Sequence, residues 1–288
     1  LVLKDRVFKL STSLNGDNDS FKDVNIEYGS GLKNITSTIM GGELRGYLDM
    51  RDTEVKSILD KMNILSASFI QEFNGIHRAG FGIDGSSGLD FFSTLDVTVD
   101  HDVDNTGTAV VSMTNASPTT VSVDEFEITF TDSYSFTLNN LTTNASSGTF
   151  TFTTGSTFNI KDGFAVTISG TAVAGDTVTF SVSEDAASGM TVSSTITANT
   201  RKIAAGTTTN GDGGNALLMA GLQNELVFNS VTWSSESGSF TFDEYYNAVV
   251  STIGIESFSA QAILRQQEGV MLQLNSRRES ISGVSIDE

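Results

Sequence analysis

The stretch from Gly41 to Phe92, GGELRGYLDMRDTEVKSILDKMNILSASFIQEFNGIHRAGFGIDGSSGLDFF, decides the fold. Apolar side chains recur at Leu48, Val55, Ile58, Met62, Leu65, Phe69, Phe73 and Ile76, in steps of seven, three, four, three, four, four and three. That spacing is close to a heptad seam, narrower than the face of an ordinary globular helix. Asp52, Lys56 and Asp60 follow one another by one turn on the opposite face, so neighbouring opposite charges support a helix. From Glu43 to about Ala79 such a helix runs about 55 Å at ~1.5 Å per residue. A single helix of that length needs a partner along most of it. Asn74-Gly75, Gly80, Gly82, Asp84-Gly85 and Gly88 mark its glycine-rich exit.

A second long helical pattern runs from Phe242 to about Ile281. Its seam is Ile253, Ala260, Ile263, Gln267, Val270, Leu274, Arg277 and Ile281, in steps of seven, three, four, three, four, three and four. Thr241 with Glu244 makes a capping box at its start, and Phe240 with Tyr245 is placed as a hydrophobic staple. The two seams are expected to pack on each other as a near-antiparallel pair. Gln267 and Arg277 are its weak points, or its contacts to another subunit.

Between these helices the composition changes. Residues 93–200 hold 25 Thr and 15 Ser, and Lys161 is their single basic residue against 12 Asp and Glu. Apolar residues alternate with period two at Phe126, Ile128 and Phe130, then at Tyr134, Phe136 and Leu138, Phe150 and Phe152, Val166 and Ile168, and Val178, Phe180 and Val182. Short alternating runs broken by Asn-Asn, Ser-Gly, Asp-Gly and Ala-Gly turns predict an antiparallel β-sandwich or barrel. Residues 1–40 read as short strands, Val7–Leu10 and Val24–Tyr28, around an Asn15-Gly16 turn and the Asp17-Asn18-Asp19 run. Asn215 to Leu226 reads as a short helix with Leu218 and Leu222 inward, followed by a connector with the only tryptophan, Trp233. The fold class is therefore α+β: a discontinuous helical domain of long near-antiparallel helices with an inserted antiparallel β domain. The expected division is 1–92, first helical part with an N-terminal hairpin; 93–200, β-rich outer domain; 201–288, second helical part.

The chain of 288 residues carries a net charge of -19 and has no cysteine. Absence of cysteine excludes disulfides and thiolate chemistry. No basic patch exists for nucleic acid or anionic membrane, and no apolar run is long enough to span a bilayer. Gly-x-Ser-x-Gly, His-Glu-x-x-His, Walker and dinucleotide fingerprints are all missing, so no catalytic residue and no cofactor are expected. His77 falls at a helix C-terminus, where a cation suits the dipole and a ring packs. Asp100, Asp102 and Asp104 around His101 invite a weak calcium reading. Asn105 replaces the glycine an EF-hand loop requires and Val111 its bidentate glutamate, so a solvated acidic loop is favoured. Asp17 and Asp19 are read the same way.

Several segments, taken in order, resemble one family. Gly42-Glu-Leu-Arg-Gly-Tyr-Leu-Asp-Met-Arg51-Asp52, Phe73-Asn-Gly-Ile-His77-Arg-Ala-Gly80, Gly85-Ser-Ser-Gly88 and Phe91-Phe92 come first. Gly175–Phe180, Arg201–Ala205 with Asn215-Ala216-Leu217, Tyr245-Tyr246, Ile253-Gly254 and the closing Arg277–Glu288 follow. Together they resemble the FlgK family of bacterial flagellar hook-associated proteins, from about residue 41 onward. The resemblance implies a structural, non-enzymatic adaptor at the hook–filament junction, exported unfolded and standing outside the cell. It implies as partners the hook protein, the second junction protein (hook-associated protein 3) and an export chaperone. Self-assembly would belong to the full-length protein, whose terminal helical segments are expected to lie beyond this stretch, leaving a monomer. A second reading, a secreted adhesin or calcium-dependent binding module, would rest on the β domain alone.

Overall fold

The computed structural model describes all residues except 1, 4–5, 17, 19, 29–30, 119, 210, 229–239 and 283–288. Trp233, the acids Asp17 and Asp19, and the end of the closing motif lie outside the described residues.

The chain opens with two short strands, β1 (Val2–Leu3) and β2 (Arg6–Val7), followed by an antiparallel three-stranded sheet of β3 (Leu10–Leu14), β4 (Lys22–Tyr28) and β5 (Gly31–Asn34). The strand expected at Val7–Leu10 instead begins at Leu10, because it pairs with β4 directly up to the turn, Leu14 opposite Lys22.

The long helix forms as its periodicity dictates, in three contiguous pieces: α1 (Glu43–Asp49), a π segment (Met50–Glu54) and α2 (Val55–Ala79). Asn74 and Gly75, read as part of the exit, lie inside α2. The π segment faces the N-terminal sheet. Arg51 donates to the Lys22 carbonyl at 2.9 Å and stands over the Phe21 ring, and Asp52 accepts from Asn18 at 3.0 Å. π segments of this kind interrupt α-helices at special sites.

The insertion is a sandwich. One sheet has the order β10-β9-β8-β13-β6, using β6 (Thr98–His101), β8 (Phe126–Phe130), β9 (Ser135–Asn140), β10 (Ala145–Thr151) and β13 (Thr177–Ser181). The other has the order β11-β12-β7, using β7 (Val110–Asn115), β11 (Thr157–Asn159) and β12 (Phe164–Ser169). All pairings are antiparallel, and neither sheet closes into a barrel. The predicted alternation appears directly in β8, where Phe126, Ile128 and Phe130 are buried and the residues between them are not. Phe136, Leu138, Phe152, Phe164, Val166, Ile168, Val178, Phe180 and Val182 complete the core, whereas Tyr134 is exposed. Each fully buried phenylalanine contributes about 1.5–3 kcal/mol. His101 joins the two sheets at one edge, its Nε2 accepting the Val111 N–H at 3.1 Å.

The chain returns through short helices α3 (Ala186–Gly189), α4 (Ser194–Ala198) and α5 (Gly214–Gly221) to α6 (Phe242–Ser282). In the α5 segment Asn215 and Leu222 point inward, but Leu218, expected inside, is 57% exposed. The inward line of this segment runs through Asn215, Met219 and Leu222, and Leu218 stands at the solvent edge of that line. α2 is the spine. Gln71 donates to the Val121 carbonyl of the sandwich, and Asn63 accepts the Ala187 N–H of α3.

Candidate functional site

Two features of the helical frame bear on function: a buried polar node at the end of α2, and the exposed length of α6. The node begins with Asn74, whose Oδ1 accepts the N–H groups of Phe91 at 3.0 Å and Phe92 at 2.9 Å while its Nδ2 donates to the Phe92 carbonyl. One turn on, His77 is fully buried. Its Nδ1 lies 2.6 Å from the Leu89 carbonyl and its Nε2 accepts the Ala204 N–H at 2.9 Å. A ring nitrogen that accepts carries no proton, so His77 is neutral, with Nδ1–H donating to Leu89. The expectation of a cation at the helix terminus is corrected: a buried ring that must accept a backbone N–H serves as a cross-brace. Arg78 holds the Asp90 carboxylate with Nε and a terminal nitrogen, at 2.5 and 2.9 Å.

Asn215 closes the node from 139 residues away, its Nδ2 donating to the carbonyls of Ile76 at 3.1 Å and Ala204 at 2.6 Å. Ile76 is in the last turn of α2, where carbonyls lack helical partners, so Asn215 acts as a remote cap. Gly80 lets the strands approach: a Cβ there would stand 2.1 Å from Asn215 Nδ2 and 2.8 Å from the Ala204 carbonyl oxygen. The absence of a side chain thus permits the Phe81–Gly206 bridge, with N–H···O contacts of 2.8 and 3.1 Å.

From the node a chain of rings leads to α6. His77 meets Phe91, Phe91 meets Phe73 and Phe92, Phe69 touches Phe73, Phe92 and Phe242, and Phe228 stacks on Tyr245 at 4.3 Å. The capping box forms, Thr241 N donating to Glu244 at 2.9 Å and Glu244 N to the Thr241 hydroxyl at 3.3 Å. Phe240 and Tyr245 join the cluster around Phe228 and Val249. Contacts run in opposite senses along the two helices, Phe69 to Phe242 and, further from that end of each, Ile64 and Leu65 to the cluster of Tyr245 and Val249, so the pair is antiparallel.

The pairing ends there. Leu48 is buried and Ile58, Met62, Leu65, Phe69 and Phe73 are half-buried, but Val55 is 43% exposed. On α6, Ile263, Val270 and Leu274 are 53%, 49% and 56% exposed, and every residue from 257 to 282 is exposed. The expectation that the second seam packs within this chain is corrected. Phe69 and Phe73 are covered by Phe91, Phe92 and Phe242, and α6 touches α2 only along its first turns. The seam therefore extends about 39 Å into solvent at ~1.5 Å per residue.

The acidic loop does not assemble as a metal site. Asp102 accepts the Asp104 N–H at 2.7 Å and the Thr177 hydroxyl at 3.2 Å, and Asp100 and Asp104 are exposed. Among the described residues no group of three or more His, Cys, Asp or Glu is placed to hold a metal. The node was only partly legible beforehand. The motif segments named His77, Arg78, Gly80 and Asn215, but nothing in their spacing showed that they meet. No described helix is long and apolar enough to cross a membrane.

The fold defines an α+β protein whose helical frame is interrupted by an antiparallel sandwich and whose last helix is left open. Residues 1–92 match the flagellar hook-associated protein FlgK helical domain, a match that includes the first forty residues outside the motifs. The chain is 30% identical over 248 residues to flagellar hook-associated protein 1 of Escherichia coli K12, and 27% identical over 259 residues to that of Salmonella typhimurium. These alignments cover 86% of this chain but 43% and 44% of the relatives, so the chain spans under half their length. In structure it superposes on the flagellar hook junction protein FlgK from Burkholderia pseudomallei with a TM-score of 0.76 at 18% identity, over 98% of this chain and 72% of that one. The chain belongs to the FlgK family.

Proposed function

We propose that this chain is part of a structural subunit of the bacterial flagellum, an adaptor between hook and filament that acts mechanically and not by catalysis. One observation carries the reading: a heptad-patterned helix, firmly rooted by rings at its base, leaves its apolar seam from Ile263 to Ile281 uncovered. A seam of that length is a surface for another helix. The names of the relatives supply the setting, and the sandwich suits an outer domain. In this reading residues 1–92 and 201–288 form the helical domain and 93–200 the inserted one. The partners are the hook protein, hook-associated protein 3, an export chaperone before assembly, and neighbouring copies of the full-length protein, all outside the membrane once exported.

The test is complementation with the full-length gene in its own organism, made null for this gene. Ile263→Asp with Leu274→Asp should leave the isolated chain's thermal unfolding unchanged, because both side chains are exposed, yet abolish filaments while the protein is still secreted. Normal filaments from the double variant would reject α6 as the assembly surface. No filaments from a secreted wild-type gene would reject the junction role itself.

A further inference from the structure

The chain enters the sandwich once and leaves it once, and both crossings are short. On the way in, Phe92 bridges to Val192 and the Ser93 N–H donates to the Thr191 carbonyl at 2.9 Å, while Leu95 already packs on the sandwich core. Thr94 lies between the two. On the way out, Val182 belongs to the sandwich core and the Ala187 N–H donates to Asn63 of α2 at 3.1 Å. Between them Asp185 holds a left-handed backbone, at a φ of +58°, a conformation uncommon outside glycine. Two such points define an axis about which a domain can turn.

A side chain of α2 spans this joint. Gln71 Nε2 donates to the Val121 carbonyl at 2.9 Å. The acceptor is fixed to the sandwich: the Val121 side chain is buried in its core, and the Ala116 and Ser122 N–H groups donate to the Gly163 and Asp162 carbonyls, each at 2.9 Å. Gly163, at a φ of +85°, comes so close that a Cβ would stand 2.7 Å from Val121 Cα. Beside the bond the packing is loose. A cavity of about 10 Å³ lies between Ile70, Asn74 and Arg78 of α2 and Leu95, Asn115 and Pro118, close to the space one water needs. Arg78 Nη1, in its wall, is buried with no hydrogen-bond partner among the described residues. Gly16 of the N-terminal turn stands against Val103 and limits movement on that side. A polar, loosely packed joint of this kind leaves relative motion as the expected state of two domains.

We propose that Gln71 is the latch of a hinge. Its bond to Val121 holds the sandwich at one angle to α2, and breaking it lets the sandwich rock about Thr94 and Asp185 while both bodies stay folded. The inference concerns the chain itself and does not depend on the flagellar reading.

Distances between two spin labels on the intact chain test it. The chain has no cysteine, so Thr149→Cys on β10 and Val250→Cys at the rooted end of α6, both exposed, take the labels without background. With Gln71 in place the pair should give one narrow distance. Gln71→Ala should add a displaced distance, occupied about fivefold more than with Gln71 present, the effect of one net hydrogen bond. The helical circular dichroism should not change. Gln71→Glu, whose ionised carboxylate only accepts, should behave like the alanine variant. Gln71→Lys keeps a donor and should return the single narrow distance. One narrow distance in Gln71→Ala, or a displaced distance equally occupied with Gln71 and in all three variants, would overturn the latch.

Discussion

Replacing Asn215 with alanine tests whether the polar node ties the two halves of the helical frame together. The side chain is 1% exposed and donates to two buried carbonyls, one at the end of α2 and one at Ala204. Each lost hydrogen bond costs about 1 kcal/mol, and a carbonyl left buried without a partner costs about 1–3 kcal/mol. Part of the space left by the amide can admit water, which places the expected loss near 3 kcal/mol. For a unit of this size that lowers Tm by roughly 6–12 °C, read as helical circular dichroism at 222 nm. Gly80→Ala supplies the internal control. Its Cβ would meet Asn215 Nδ2 and Cγ at 2.1 and 2.5 Å, so alone it also destabilises. In the double variant those two clashes vanish, leaving the 2.8 Å approach to the Ala204 carbonyl. The two losses should therefore add to less than their sum, by about 1 kcal/mol or more. Strict additivity, or an Asn215→Ala Tm within about 2 °C of wild type, would refute the node.

Phe69→Ala removes a ring that touches three others; because the ring is half-buried, the loss should be about 3 kcal/mol, at the low end for aromatic truncation, and a near-wild-type denaturant midpoint would reject the ring chain as the link to α6. His101→Ala strips the Val111 N–H of its acceptor and should cost the sandwich about 1–2 kcal/mol, visible as faster exchange of β7 but not of α2. Gly170→Ala places a Cβ 2.1 Å from the Thr108 carbonyl oxygen at a φ of +77°, and should destabilise the sandwich by more than 2 kcal/mol, roughly; wild-type melting would refute that turn. The pH profile has two limbs. Burial, followed by Glu256, Glu225 and Asp60 respectively, raises the carboxyls of Glu54, Glu72 and Glu125 above 4.5. A raised carboxyl destabilises the ionised folded state, so stability should increase as pH falls from neutral toward 4.5. Asp52, held down by Arg51, and Asp176 and Asp212, held down by backbone N–H groups led by Thr106 and Thr207, are lowered below 3.8. Their contribution is present above 3.8 and lost as pH falls below it, so Tm should pass through a mildly acidic maximum; a Tm that only falls from pH 7 would contradict this.

The fold was legible wherever a single period ran long enough. The period-two run from Phe126 to Phe130 located a core strand, and the capping box at Thr241 located the start of α6 to the residue. Heptad spacing announced two helices but not their partners. The pattern at Ile263, Val270 and Leu274 says that something covers these side chains and is silent on whether it belongs to the same chain. The node was illegible for a different reason. The fold brings Ala204 to His77 across 127 residues and Asn215 to Ile76 across 139, and a hydrogen bond between a side chain and distant backbone leaves no periodic trace. Asn74-Gly75 misled in the same way, since a dipeptide typical of turns lies within α2, with the asparagine facing the chain that crosses it.

These contrasts give the frame a graded stiffness. At the end of α2, the side chains of Asn74, His77 and Asn215 all bond to backbone of other segments, so any slip breaks several bonds together. The rings from Phe91 to Tyr245 carry that constraint into the first turns of α6. Beyond Glu256 nothing within the described chain opposes bending except the helix's own hydrogen bonds, and the surface turns apolar where the constraint ends. Arg265, Arg277 and Arg278 against Glu268 and Glu279 also leave this length slightly basic in a chain of net charge -19. A rigid base with an apolar, weakly basic free arm fits a part that is positioned by its own fold and completed by a partner. An arm packed internally would instead have shown its seam buried against α2, where the phenylalanines of the 91–92 turn already stand.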